Sequence, residues 1–304
     1  MEIPYLLILF ALIIASLFKH LTLQNTAIKN EAGIIGANIF IAFWMLVTWI
    51  IASVIFEWHK IVLQDLKEIN QFLPFLISFL KGFFVMIIIS AKQWIAKGRK
   101  FNAYALVALV ALGPLAFVNA LIGEVLTSLQ FFSAISLCIF GFIFIFYGEM
   151  KSVSTKGKLI FLLITIMGVC PAMVDNYVKL EGMSWQTSWL MSNLGLLIAA
   201  IVVSLKKEGL NHIKQHFVLA TTNKNSLITA TAWVLSEFVI LFVMFTQLPV
   251  TATEASRNLY IPILMIVSTL YFNKELSKKD KSRKVKESAF WGTIAFILAL
   301  PLML

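Results

Sequence analysis

A few ionisable and polar residues of this chain interrupt sequence that otherwise reads as hydrocarbon, and their chemistry sets the question. Arg257, Asn258 and Tyr260 lie within 252–267, ATEASRNLYIPILMIV; Lys81 lies within 75–89, FLISFLKGFFVMIII; Glu237 lies within 230–243, ATAWVLSEFVILFV. A charged side chain at such a position costs several kcal/mol in hydrocarbon, so each should face protein or a watery cavity. Arg257 with Asn258 and Tyr260 would supply a fork of donors for a carboxylate or phosphate. Glu254, three residues earlier, could instead hold Arg257 as an i,i+3 partner. Lys81 and Glu237 each stand roughly 8 to 10 residues into their runs, or about 12–15 Å along a helix, which is near mid-depth. They are expected to face one cavity and to pair with each other when it is empty; a purely structural ion pair is the other reading.

Trp233 precedes Glu237 by one helical turn on the same face and could stack on a planar or cationic ligand. Asp175 closes an apolar run, where it could couple a proton or simply mark the interface. Asn119, like Asn38 and Asn193, sits inside a run, where ligand contact and interhelical hydrogen bonding explain it equally well. His212 and His216 have the i,i+4 spacing of a helical metal site. With no third ligand nearby they read as an exposed polar face, and neither metal nor cofactor is expected. Cys138 and Cys170 lie within apolar runs as small core residues.

The elements that must position these groups are membrane helices. Of the 304 residues 60% are hydrophobic and 13% charged, with a mean hydropathy of +0.90, which excludes an ordinary soluble protein. Ten apolar runs are expected, at 3–18, 33–56, 72–91, 103–121, 130–148, 158–174, 186–205, 226–247, 252–272 and 288–304. Each approaches the length that a helix needs to cross the hydrocarbon. The unbroken apolarity argues against a membrane barrel, whose strands alternate. The fold class is thus an all-α polytopic membrane protein.

A net charge of +10 is compatible with nucleic-acid binding, but no basic stretch is interleaved with aromatics, and no nucleic-acid partner is expected. Assigning the connections alternately to two sides puts twenty of the 25 basic residues on one side and four on the other, with Lys81 inside a span. By the positive-inside rule the odd connections, which include Lys19 and Lys92, are cytoplasmic and both ends lie outside. No cleavable leader is expected at 1–18, which lacks a basic start and a small-residue cleavage site. Residues 57–71 suit a short amphipathic interfacial helix, and 277–288 reads as a solvated cytoplasmic link near anionic headgroups. Most tryptophans are expected in aromatic belts.

The segment 106–126, with Pro114, Gly123, Glu124 and Leu126, is written again at 252–276, with Pro262, Lys274, Glu275 and Leu276. With Thr127, Gln130, Gly141 and Gly292, this pattern resembles the drug/metabolite transporter superfamily, in its ten-helix EamA-like branch. The resemblance covers nearly the whole chain, although the proline-to-glutamate spacing differs between the halves. It implies ten transmembrane helices as two inverted five-helix repeats, 1–150 and 151–304. It also implies a central cavity lined mainly by the first four helices of each half. An odd number of spans per repeat inverts the second half independently, and inverted repeats place substrate sites near the midplane.

The leading expectation is a multi-pass secondary transporter of a bacterial cytoplasmic membrane. It would export or exchange a small polar metabolite by alternating access, as a monomer or homodimer in the lipid bilayer, with Glu237 and Asp175 as coupling carboxylates. No GxxxxGK[ST] motif is present to support ATP-driven transport. An intramembrane enzyme acting on a lipid-linked substrate is the alternative, though HExxH and paired metal-binding aspartates are missing from the spans. A scaffold or sensor without saturable uptake is a third possibility.

Overall fold

The structure is a computed structural model that describes residues 5–29, 33–69, 71–97, 100–207, 209–272 and 277–303, and these residues form helices and turns without strands. The first half holds α1 (Tyr5–Lys29), α2 (Gly33–Ile55), α3 (Trp58–Glu68), α4 (Leu73–Lys97), α5 (Phe101–Leu121) and α6 (Ser128–Tyr147). The second holds α7 (Thr155–Met167), α8 (Val169–Leu180), α9 (Trp185–Lys207), α10 (Gly209–Thr222), α11 (Lys224–Thr246), α12 (Val250–Arg257), α13 (Ile261–Phe272) and α14 (Lys278–Ala299). Among the described residues nine helical stretches are long and apolar enough to cross a membrane, with α7 and α8 forming one of them. The chain is an integral membrane protein by that measure.

Two expected spans are broken, and proline is the cause in both. Proline has no N–H to donate, and its ring crowds the carbonyl four residues earlier. Pro262 acts on Asn258, where α12 gives way to a 3-10 turn, Asn258–Tyr260, before α13. Pro171 acts on Met167, the last residue of α7. Pro114, in contrast, lies inside an uninterrupted α5.

Four helix boundaries differ from expectation. α14 begins at Lys278 and not near 288, so most of the expected cytoplasmic link 277–288 is helical and continuous with the last span. The runs 3–18, 72–91 and 158–174 stop at the first polar residues, yet the helices continue to Lys29, Lys97 and Leu180. Lys19, His20, Lys92 and Asp175 are therefore buried helical residues and not members of connections. Helical backbone bonding does not depend on side-chain charge, and Lys19, His20 and Asp175 find polar partners in the interior.

The repeated motif takes a structural meaning in its first copy. Gly123 has φ 115° and turns the chain after α5, a conformation that favours glycine. Thr127 and Gln130 form a capping box that starts α6, the Gln130 side chain accepting from the Thr127 N–H at 2.8 Å. Lys274, Glu275 and Leu276 of the second copy lie outside the described residues.

The two amphipathic helices are docked onto spans. Trp58 of α3 is buried against Trp185 and Trp189 of α9, with ring centroids 5.0 and 5.8 Å away. These tryptophans pack inside the protein and not in a belt. Asp65 accepts hydrogen bonds from the Ser184 N–H and hydroxyl at 3.0 and 2.6 Å, tying α3 to the start of α9. α10 lies on α2, where Gly36 faces the backbone of His216 and a Cβ would stand 2.9 Å from its carbonyl oxygen. His216 is thus packed and not on an exposed face; the His212 side chain lies outside those described. α4 and α9 make the closest crossing, because Gly82 and Gly195 present bare backbone to each other and a Cβ on either would overlap it.

The helix order recurs. α1, α2, α3, α4, α5 and α6 begin at residues 5, 33, 58, 73, 101 and 128; α7, α9, α10, α11, α12 and α14 begin at 155, 185, 209, 224, 250 and 278. The intervals stay between 149 and 152 residues. Packing follows the same rule: α1 contacts α11 as α4 contacts α8, α5 contacts α6 as α13 contacts α14, and both α3 and α10 contact α2 and α9.

Candidate functional site: a charged cavity between the two halves

A cavity of about 100 Å³ is lined by α1, α4 and α5 from the first half and by α8, α11 and α12 from the second. By the interval above α4 and α5 are the counterparts of α11 and α12, and α8 continues α7, the counterpart of α1, in one span. α2 and α9 do not line it, whereas a lining by the first four spans of each half was expected. Its wall is apolar along α4 and α5, through Val85, Ile88, Ile89, Ala108, Leu112 and Leu115. Lys81 and Lys92 of α4 flank that apolar stretch, and the other charges, Lys19 and Arg257 with Asp175, Glu237 and Glu254, come from α1, α8, α11 and α12.

Lys81 and Glu237 both line the cavity, but they do not pair with each other. Lys81 Nζ donates to both oxygens of Asp175, at 2.6 and 2.8 Å. The two side chains are only 5% and 6% exposed. The Ser188 hydroxyl adds a longer bond to Asp175 at 3.4 Å, and Ser78 donates to the Ser188 carbonyl at 3.1 Å. Asp175 is thus placed by the turn that follows the Pro171 break, and its partner comes from mid-α4. A carboxylate read as a helix-end residue is an interior one.

Glu237 pairs with Lys19, across the α1–α11 contact. Lys19 Nζ also stands 3.9 Å over the Trp233 ring, so the cation that Trp233 receives is one of the protein's own. Below this pair the same two helices are joined by Thr26 and Thr229, at 2.7 Å, and by Asn25 and Asn225, at 3.2 Å.

Arg257 lines the cavity and its Nε is 2.7 Å from Glu254 Oε2, the i,i+3 contact. The expected fork does not form, because the 3-10 turn that follows Arg257 carries Asn258 and Tyr260 off the cavity wall. Tyr260 stacks on His20 with centroids 5.3 Å apart and planes 11° from parallel. His20 Nδ1 also meets the Tyr104 hydroxyl at 2.8 Å. Asn119 is likewise off the wall and donates to Thr251 at 3.0 Å; Thr251 in turn donates to Glu124 at 2.9 Å. Asn119 therefore joins α5 to α12.

One numerical relation binds the charges together. Lys19 and Asp175 are 156 residues apart, and so are Lys81 and Glu237 (175 − 19 and 237 − 81). Each residue of one ion pair thus stands at this spacing from a residue of opposite charge in the other pair, a spacing 4 to 7 residues longer than that between the helix starts. Asn102 and Asn258, and Tyr104 and Tyr260, stand at the same interval. Lys19, His20 and Lys92 were missed as site residues because each follows directly on an apolar run and reads as its cytoplasmic end. The shared interval is the signal that could have found Lys19; His20 and Lys92 have no matching cavity residue at that spacing.

Among the described residues no group of three His, Cys, Asp or Glu side chains is placed to hold a metal ion. Compared with known proteins, the chain matches no family profile and no curated sequence.

Proposed function

We propose that this chain is a secondary transporter that exports or exchanges a small polar metabolite by alternating access. It is built as ten spans in two inverted five-span repeats, 1–150 and 151–304, within a bacterial cytoplasmic membrane. α12 and α13 together make the ninth span, a discontinuous helix of the kind that frames ligand sites in transporters. The resemblance to the drug/metabolite transporter superfamily points the same way.

The observation that carries the reading is the pairing of Lys81 with Asp175 and of Lys19 with Glu237 around one cavity. Each pair joins a helix of one half to a helix of the other: α4 to α8, and α1 to α11. Moving the halves apart on either side of the cavity must break one pair. A polar solute that supplies replacement partners lowers that cost, which couples its presence to the motion. A proton arriving on Glu237 or Asp175 neutralises the acceptor and frees its lysine, and this is where a proton gradient acts.

The test is counterflow. Proteoliposomes containing the full chain are loaded in turn with amino acids, nucleosides, sugar phosphates, short carboxylates and amines, and exchange of labelled solute is followed with and without a pH gradient. Saturable exchange that falls at least tenfold in Glu237→Gln and Asp175→Asn supports the proposal. Rates equal to protein-free vesicles for every solute would reject it.

A further inference from the structure

Four cations and three carboxylates line the cavity, and the three carboxylates are taken by Lys81, Lys19 and Arg257. Lys92 is left over. It is 8% exposed and lines the cavity, and among the described residues no carboxylate lies within ion-pair distance of it. Its Nζ lies over the Tyr104 ring, 5.8 Å from the centroid. Tyr104 is itself held by His20, so this neighbourhood offers Lys92 a ring face and no anion. A buried ammonium without a counter-charge is costly, and a bound anion removes that cost. Arg257 is the second open cation, since its side chain is 23% exposed while its Glu254 partner occupies Nε.

The rest of the wall restricts what the anion can be. Val85, Ile88, Ile89, Leu112 and Ile240 offer no hydrogen bonds, so they suit an aliphatic body and leave a bare inorganic ion half unsolvated. The cavity of about 100 Å³ is smaller than the roughly 150 Å³ cavity that takes up benzene in an engineered protein core. It therefore fits a solute of a few heavy atoms. We infer that the cavity binds a short-chain organic monocarboxylate, its carboxylate on Lys92 and Arg257 and its aliphatic body on the α4–α5 wall. The inference rests on the transporter reading for its physiological meaning, but binding can be measured without it.

The experiment uses the full chain in detergent and in proteoliposomes, with butyrate and lactate as probes. Butanamide, butylamine, chloride and nitrate serve as comparisons. Butyrate and lactate are expected to raise the melting temperature in a saturable way and the comparison solutes to have no such effect. Lys92→Met, which removes the charge and leaves no partner orphaned, should weaken butyrate binding at least tenfold, and Lys92→Arg should retain most of it. Lys92→Gln gives the same comparison if the methionine variant does not fold. Binding of butylamine or butanamide in preference to butyrate would overturn the inference, and their exchange in counterflow would leave the transporter reading standing. Chloride or nitrate acting as strongly as butyrate would overturn the assignment to an organic anion. Butyrate binding that depends on Lys92 without any counterflow would uphold the inference and remove the transporter reading.

Discussion

Lys81 holds both carboxylate oxygens of Asp175 across the contact between α4 and α8, with both side chains almost wholly buried. A pair of this kind is asymmetric in its energetics. Removing one partner leaves an uncompensated charge and costs about 3–5 kcal/mol, whereas replacing both by apolar groups of similar volume is often neutral. Lys81→Met and Asp175→Leu should therefore each lower thermal stability sharply, and the double variant should recover most of the loss. Melting temperatures of the three proteins in one detergent check this; additive losses would show that the two side chains do not depend on each other.

The second pair tests whether polarity matters. Lys19 and Glu237 carry their charges in the opposite sense to Asp175 and Lys81, which stand at the 156-residue spacing from them. Lys19→Glu places two carboxylates against each other across α1 and α11 and should reduce solute exchange by more than tenfold. Adding Glu237→Lys restores an attractive pair and should recover at least part of the exchange. A double variant no better than the single one would mean that the Trp233 ring, over which the Lys19 cation of α1 lies, dictates the polarity.

Gly82 and Gly195 allow α4 and α9 to touch backbone to backbone. An added methyl has no side chain to displace there, only main chain, so the helices themselves must separate. Gly195→Ala is expected to destabilise by about 1–3 kcal/mol, the usual scale of overpacking. Because the α4–α9 contact also positions Ser188 beside Asp175, the same variant should weaken solute binding. Gly123→Ala is a useful contrast, since nothing lies within 4 Å of its Cβ position and its penalty comes only from φ 115°. It should reduce the melting temperature without changing solute binding.

Glu124 lies beyond the end of α5 and provides a pH test outside the spans. Burial raises its carboxyl from the ordinary 4.5, opposed by the hydrogen bond from Thr251. A raised folded value means that protonation favours the native state. Its contribution is complete below the ordinary value and is lost as pH rises through the raised one. Glu124→Gln, which cannot ionise, should abolish that part of the decline while keeping an acceptor for Thr251. Melting curves from acid to neutral pH compare the two; parallel curves would show that Glu124 ionises freely in the folded protein.

The amino-acid sequence by itself determined the helical membrane class and the amphipathic α3, and it set Lys81 and Glu237 well inside apolar helices. These follow from hydropathy and spacing, which are local properties of the chain. It also carried the 156-residue interval between the charges, although that interval acquires meaning only once the partners are known. The tertiary structure alone decided that Lys81 takes Asp175, that Glu237 takes Lys19, and that Lys92 meets no carboxylate among the described residues. Hydropathy placed Lys19, His20 and Lys92 in connections because a window of sequence treats any charge next to an apolar run as the start of water. The folded chain keeps Lys19 inside because Glu237, on a helix distant in sequence, supplies its counter-charge, and it keeps His20 inside against the Tyr104 hydroxyl. Which partner a buried charge finds is fixed by how helices cross, and no property of a single helix contains that information.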